Sequence, residues 1–319
     1  MTTFDPLILQ GTPTSAWDKT EEMGQESQRC FLYWRRTQLL VLQRTARERD
    51  RSFRQPPLPP LSNSIWLTEC LKRSPIELVR IDPSLGETTI KEWAEACQHS
   101  GKSIYLRLPP AAQLPHRKWE LSWGWKRIFD WSVAAALLIL LGPLLIAIGL
   151  AIALTSPGSI FFSQWRVGQR GKLFRILKFR TMVMDAEKAH HRIMANQAAD
   201  CLHKREDDPR VTPLGKWLRR YSLDELPQLI NVLRGEMSLV GPRPWALYDA
   251  VRIRPEMQTR LNALPGITGA WQVEARSTLV DLDAVSDRDL EYLKNWSLGG
   301  DFKILLRTVP KVLSGFGAF

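Results

Sequence analysis

Two adjacent carboxylates, Asp224 and Glu225, stand in the run Arg219-Arg220-Tyr221-Ser222-Leu223-Asp224-Glu225-Leu226-Pro227-Gln228-Leu229, with basic residues close by. A carboxylate attacks phosphorus only where its own charge and that of the phosphate are compensated. Arg219, Arg220 and the Arg243 of Pro242-Arg243-Pro244 can supply that compensation. The same letters have a plainer reading. Ser222 followed three residues later by Glu225, just before the apolar Leu226, Leu229 and Ile230, has the form of a capping box. Ser222 would then cap a helix, Glu225 would reach back to the cap, and Asp224 would complement the helix dipole. On either reading the dyad opens a helix, a place that favours an anion.

Further cations lie upstream in Phe174-Arg175-Ile176-Leu177-Lys178-Phe179-Arg180-Thr181-Met182, where apolar and basic residues alternate. The alternation predicts a strand with one cationic side. Lys178 and Arg180 would face either anionic lipid heads or substrate phosphates. Pro242 and Pro244 hold Arg243 in a stiff turn, which suits it to bidentate recognition of a phosphate.

These groups need a scaffold and a surface. From Trp131 to Thr155 no residue is charged, and about 25 residues give roughly 37 Å of helix, enough to enter a bilayer. Lys126 and Arg127 precede this segment, and Arg166, Arg170, Lys172, Arg175, Lys178 and Arg180 follow it. The positive-inside rule therefore draws both ends to the cytoplasmic face. Gly142-Pro143 lies near the middle, where proline removes a backbone hydrogen bond and kinks a helix. A re-entrant helix-break-helix satisfies both observations; a kinked spanning helix is the alternative. After it, Ser156 to Lys172 reads as a turn and a hairpin, and Met184 to Ala199 as a polar helix.

Ahead of the membrane segment, residues 1–28 read as a disordered tail without periodicity or a secretory signal. Cys30 to Trp34 and Gln38 to Leu42 predict a hairpin, and Arg44 to Pro60 a basic, proline-rich connector. Helices around Ile65–Leu71 and Thr88–His99, with strands at Ile76–Ile81 and Ile104–Leu108, complete a small α/β module with parallel strands. Ile90, Trp93 and Cys97 share one face of its second helix. It has no glycine-rich phosphate loop and is assigned no chemistry.

The chain has 319 residues, 44% hydrophobic and 24% charged, which allows one large domain or two modest ones. A net charge of +11 calls for an acidic partner: nucleic acid, anionic lipid or a phosphorylated substrate. Thirteen tryptophans favour a membrane interface. Cys30, Cys70, Cys97 and Cys201 show no metal or disulfide spacing, and His190, His191 and His203 read as solvated surface. Helix-turn-helix, RRM and zinc-finger signatures are absent, so nucleic acid is set aside.

From Asp208-Pro209-Arg210 through Pro244 the sequence resembles the bacterial sugar transferases, also called monotopic phosphoglycosyl transferases or polyprenyl glycosylphosphotransferases. The resemblance extends over roughly the last two hundred residues and includes the K-F-R-T-M run, the P-G-I-T-G turn at Pro265, the following Trp271-Gln272-Val273 and the block from Asp289 to Leu305. Many relatives have glycine where this chain has Ala275. The resemblance implies a membrane-associated α/β fold: a re-entrant helix-break-helix at about 128–155, broken at Gly142 and Pro143, within a sugar transferase of residues 119–319, preceded by an accessory module of residues 29–118.

It also implies transfer of a sugar 1-phosphate, here a hexose 1-phosphate, from a UDP-sugar to undecaprenyl phosphate at the cytoplasmic face of the inner membrane. Asp224 would be the nucleophile, forming a phosphoaspartyl-sugar intermediate, and Asp224 and Glu225 would hold Mg2+. Lys178, Arg180, Arg219, Pro242, Arg243 and Pro244 would bind phosphate or nucleotide. A homodimer is left open. The alternative is a catalytically silent scaffold of a polysaccharide assembly complex.

Overall fold

The computed structural model describes residues 30–43, 64–108, 120–184, 186, 208–251, 255–275 and 282–315. The expected tail, the proline-rich connector, the three histidines and most of the stretch after Met184 lie outside the described residues.

Alternating apolar residues form β1 (Cys30–Arg35) and β2 (Gln38–Gln43), an antiparallel hairpin whose turn takes Arg36 to a φ of 57°. Two further strands, β3 (Leu78–Ile81) and β4 (Ser103–Leu106), extend the sheet in parallel in the order β1-β2-β3-β4. Parallel pairing needs crossovers, and α1 (Ser64–Arg73) and α2 (Gly86–His99) provide them. Ile90, Trp93 and Cys97 are all buried on α2, and burial pushes the Cys97 thiol up to about 12, so it stays protonated at neutral pH.

The apolar interior of this sheet does not stop at its edge. One continuous core joins Val79, Ile81 and Trp93 to Trp165, Val167, Leu173, Trp245 and Leu247 of the following part. Tyr105 bridges to Lys172, and a Cβ added at Gly171 (φ 80°) would stand 2.9 Å from the Leu106 carbonyl oxygen. The two regions separated in sequence thus share one interior.

The long apolar segment forms α3 (Glu120–Thr155), a single helix of 36 residues with Pro143 inside it. From Trp123 to Thr155 it is long and apolar enough to cross a membrane, with a mean hydropathy of 2.9 in its most apolar window. The expected division at Gly142-Pro143 is corrected: the helix continues through both residues. A proline removes one backbone bond, and the bonds on either side can carry the helix past it. Both halves rest on the rest of the protein. Val133, Ala134, Leu137 and Leu138 pack with Phe174, Ile176 and Val232, and Leu145, Ile148 and Ile152 pack with Phe179 and Leu218. Between and beyond these contacts the helix shows bare apolar side chains, Ile139 being 81% and Leu154 86% exposed.

A buried ionic cluster anchors the start of α3. Lys126 donates to Asp301 (2.6 Å) and lies 3.7 Å from Asp130, with all three side chains buried. Asp301 also accepts from Tyr292 (2.6 Å) and Trp296 (3.1 Å), while Asp130 accepts from the Ser238 hydroxyl (2.7 Å). Lys126 is therefore an internal counter-charge and not one of the lipid-facing cations that the flanking-charge argument counted. The neighbouring Arg127 donates to the Met237 carbonyl and stacks on Trp131.

Strands β5 (Phe161–Val167) and β6 (Leu173–Phe179) form a hairpin, so the partner of β5 is the alternating basic strand and not a second strand within residues 156–172. Next come α4 (Pro213–Arg220), α5 (Gln228–Leu233), β7 (Ser238–Val240), β8 (Trp245–Ala246) and α6 (Leu247–Ala250). The described chain closes with β9 (Gly266–Thr268), α7 (Ala270–Ala275), α8 (Leu282–Lys294) and α9 (Leu298–Ser314). β8 pairs with β5, and β7 runs parallel to β9. Exposed Leu298, Phe302, Leu306, Val309 and Leu313 lie along one stripe of α9, adding apolar surface to that of α3.

Removing one member of a buried ionic cluster strands the others, at a cost of about 3–5 kcal/mol. Asp301→Ala is expected to lower the thermal unfolding temperature of the detergent-solubilised protein more than Arg288→Ala, which removes an exposed pair with Glu291.

Candidate functional site

The dyad sits between two short helices. Thr212 caps α4 by accepting from the Gly215 N–H (2.9 Å), and Pro213 occupies its first position. At the other end Ser222 takes a left-handed backbone (φ 51°, ψ 23°), and its N–H donates to the Arg219 carbonyl. It is thus the reversing residue beyond α4, the position where helices often end left-handed. The capping-box reading is corrected here: a cap needs extended backbone, and Ser222 makes no side-chain cap to the turn that follows. Leu223–Glu225 form a single 3-10 turn, and the α-helix begins only at Gln228, after Pro227.

The dyad is compensated by a side chain from the neighbouring strand. Lys178, near the end of β6, places its Nζ 2.8 Å from Glu225 Oε1 and 4.0 Å from Asp224 Oδ2. Asp224 is buried, and Arg219 interacts with it electrostatically. Burial pushes the Arg219 guanidinium down, and the Asp224 charge is the first to oppose that. Arg219 Nε donates to the Thr181 hydroxyl (2.9 Å), which fixes its direction.

Asn231 holds Lys178 at this spot. Fully buried on α5, it accepts from the Leu177 N–H (3.0 Å) and donates to the Arg175 carbonyl (2.9 Å), so it pairs with β6 as a neighbouring strand would. The pairing ties the lysine strand to the carboxylate segment. Pattern reading passes over Asn231, because a polar residue inside an apolar helix shows its purpose only when its partner is known.

The Pro242-Arg243-Pro244 turn is pinned at every residue. Pro242 accepts from the Gly266 N–H (2.9 Å), Arg243 from Arg260 (2.9 Å) and Pro244 from Arg166 (3.3 Å). Asp289 accepts from the Arg243 N–H and is ion-paired to Arg260; burial raises the Asp289 carboxyl, opposed first by Arg260. Gly241 and Gly266 allow the backbones to meet: a Cβ at Gly266 would lie 2.1 Å from the Gly241 nitrogen. The Arg243 side chain reaches over the Trp271 ring at 5.6 Å.

Arg166, Lys178, Glu225, Arg243 and Gln272 line one cleft, floored by Ile176, Pro244 and Ile267. Three cations against one lining carboxylate suit it to a polyanion. Burial pushes the Arg166 guanidinium down. Sequence reading counted Arg166 only as a flank of the membrane segment, since the β5–β8 pairing that brings it to Pro244 is not local. Arg180 is held otherwise: its guanidinium donates to the Ser156 and Pro157 carbonyls (2.7 Å each), just past the end of α3, and it is not among the residues that line the cleft. Among the described residues no three His, Cys, Asp or Glu side chains gather to hold a metal ion. Asp224 and Glu225 remain as a two-carboxylate set, which suits magnesium, an ion that takes one or two protein carboxylates and completes its shell with phosphate and water.

The model of the family described as bacterial sugar transferase matches residues 121–315. The chain is 42% identical over 195 residues to the galactosyl transferase CpsE of Streptococcus agalactiae, a match covering 60% of this chain and 43% of that protein. It is 43% identical over 222 residues to the UDP-glucose:undecaprenyl-phosphate glucose-1-phosphate transferase of Caulobacter vibrioides, covering 67% and 78%. It is 41% identical over 199 residues to the undecaprenyl-phosphate galactose phosphotransferase of Salmonella typhimurium, covering 61% and 41%. The chain thus spans less than half of the streptococcal and Salmonella relatives.

A charge-assisted hydrogen bond is worth about 1.5–3 kcal/mol. Arg243→Gln is accordingly expected to weaken inorganic diphosphate binding by roughly tenfold or more in isothermal titration, whereas Arg180→Gln should leave it within about twofold.

Proposed function

We propose that this chain, which belongs to the bacterial sugar transferase family, transfers a hexose 1-phosphate from a UDP-sugar to undecaprenyl phosphate and so starts a polysaccharide on its lipid carrier. It is an enzyme of the phosphoglycosyl transferase class. The observation that carries the reading is Lys178 poised between Asp224 and Glu225 at a cleft lined by Arg166 and Arg243.

The chemistry divides into two displacements. An Asp224 carboxylate oxygen attacks the sugar-bearing phosphorus of the UDP-sugar. The bond from that phosphorus to the bridging oxygen breaks, and UMP leaves with the oxygen. A phosphoaspartyl-sugar remains. An oxygen of undecaprenyl phosphate then attacks the same phosphorus and breaks its bond to Asp224, giving the lipid diphosphate sugar and a free carboxylate. Lys178 and Arg219 offset the repulsion between Asp224 and the incoming phosphate, and Arg166 and Arg243 hold the diphosphate oxygens. Asp224 and Glu225 would hold magnesium, which when bound supplies further charge neutralisation between dyad and diphosphate.

Membrane seating follows from α3. Leu138 and Leu145 both touch the catalytic part, and the six residues between them span only about 9 Å, against a hydrocarbon core of about 30 Å. That favours a helix lying along the catalytic part with its bare flank in one leaflet over a helix that spans. UDP-sugars are cytoplasmic, which puts the cleft at the cytoplasmic face of the inner membrane. The bare apolar flanks of α3 and α9 sit in lipid beside the prenyl chain.

UMP release from UDP-glucose or UDP-galactose by detergent-solubilised protein is the direct test. Release is expected to require undecaprenyl phosphate and magnesium, to fall on the order of 10^2-fold in Lys178→Met, and to vanish in Asp224→Asn. Release that survives Asp224→Asn would remove Asp224 as the nucleophile.

A further inference from the structure

The cleft holds a polar group that the phosphate chemistry does not use and that has an unsatisfied atom. Gln272, on the short helix α7, lines it together with Arg243 and Glu225. Its Nε2 donates to the Ile267 carbonyl at 3.2 Å. Only the nitrogen of an amide can donate, so this bond fixes which way the group points. Oε1 is thereby turned away from Ile267, and it is buried with no hydrogen-bond donor among the described residues. A buried acceptor left without a donor keeps its desolvation penalty uncompensated, and such groups call for an explanation.

A carbonyl oxygen repels phosphate oxygens, so the part of a ligand that meets Gln272 is not the diphosphate. That part belongs beside Lys178, Arg166 and Arg243. A neutral donor, an O–H or an N–H, on the portion of a ligand that extends past the diphosphate would satisfy Oε1. A site built to accept a hydrogen bond rejects a ligand lacking the donor far more strongly than an apolar pocket rejects a change of size.

Building on the phosphoglycosyl transferase reading, we propose that Gln272 is a specificity-determining residue that accepts a hydrogen bond from a hydroxyl or imide N–H of the nucleotide sugar. The donor lies either on the sugar or on the uridine, and both present this chemistry.

Binding of UDP-glucose, UDP-galactose and UMP to the full chain in detergent, measured by isothermal titration, separates the sources without depending on turnover. In Gln272→Met, which keeps the length of the side chain, UDP-sugar affinity is expected to fall about tenfold. An equal loss for UMP places the donor on the uridine, and a loss confined to the UDP-sugars places it on the hexose. In the second case one deoxy analogue of the UDP-sugar binds the wild type about tenfold more weakly than its parent but binds Gln272→Met equally well.

Gln272→Met affinities within twofold of wild type for all three ligands overturn the proposal. Should Gln272→Met fail to fold, the wild type decides alone: the proposal falls if neither the deoxy-sugar series nor an N3-methyluridine nucleotide weakens binding more than twofold. Binding that responds to Gln272 with no UMP release sinks the transferase reading and not this one, and release with unchanged Gln272→Met affinity does the reverse.

Discussion

Two carboxylates side by side in the chain repel each other and repel any phosphate, so the site exists only if a cation is held against them. Lys178 is that cation, 2.8 Å from Glu225 and 4.0 Å from Asp224. It comes from a different element, and a flexible lysine would lose the pairing to solvent unless its strand were locked. Asn231 provides the lock by pairing with the backbone on both sides of Ile176. The β5–β6 hairpin, the reversal at Ser222 and the late start of α5 follow from the need to bring strand and dyad together.

A second set of constraints holds the membrane-facing part in register with the cleft. The Lys126 cluster fastens the start of α3 to Asp301 on α9 and, through Asp130, to Ser238 on β7. Arg180 closes the other end of α3 by taking the carbonyls of Ser156 and Pro157 just past it. Buried ion pairs are poor sources of net stability, since desolvation offsets much of the attraction, but they admit few alternative arrangements. For a helix whose remaining surface is uniformly apolar, fixed polar anchors set its rotation, which apolar contacts alone leave loosely specified. The Arg260–Asp289 pair does the same for Arg243, gripping its backbone carbonyl and N–H so that only the side chain is free to meet a ligand.

Much of this was legible beforehand. The first hairpin, the parallel strands and the buried face of α2 follow from period-two and helical alternation, because one-sided burial leaves that imprint on local sequence. The apolar segment and the dyad with its proline-flanked arginine were equally plain. The errors share a cause. S-x-x-E looks like a cap in any context, yet a strand partner and a preceding helix placed Ser222 in left-handed backbone. Gly142-Pro143 reads as a break because proline opposes helix locally, yet the helix runs on through it. Lys126, Arg166 and Arg180 were counted as membrane flanks, since a basic residue next to an apolar run carries no mark of whether it faces lipid, a buried carboxylate or a carbonyl.

The sequence by itself therefore determined the kinds of chemistry available: an acidic pair, an excess of cations and an apolar segment that must leave water. Those are properties of residue type and local period, which survive in one dimension. Tertiary structure alone decided which cations meet the dyad and which are consumed as ties, and it brought Arg166, Asn231, Asp289 and Gln272 to the site. Charge compensation acts over a few ångströms in space. Chain distance does not report it: Lys178 and Glu225 are remote in sequence yet in contact, while Arg180, two residues from Lys178, turns to a different task.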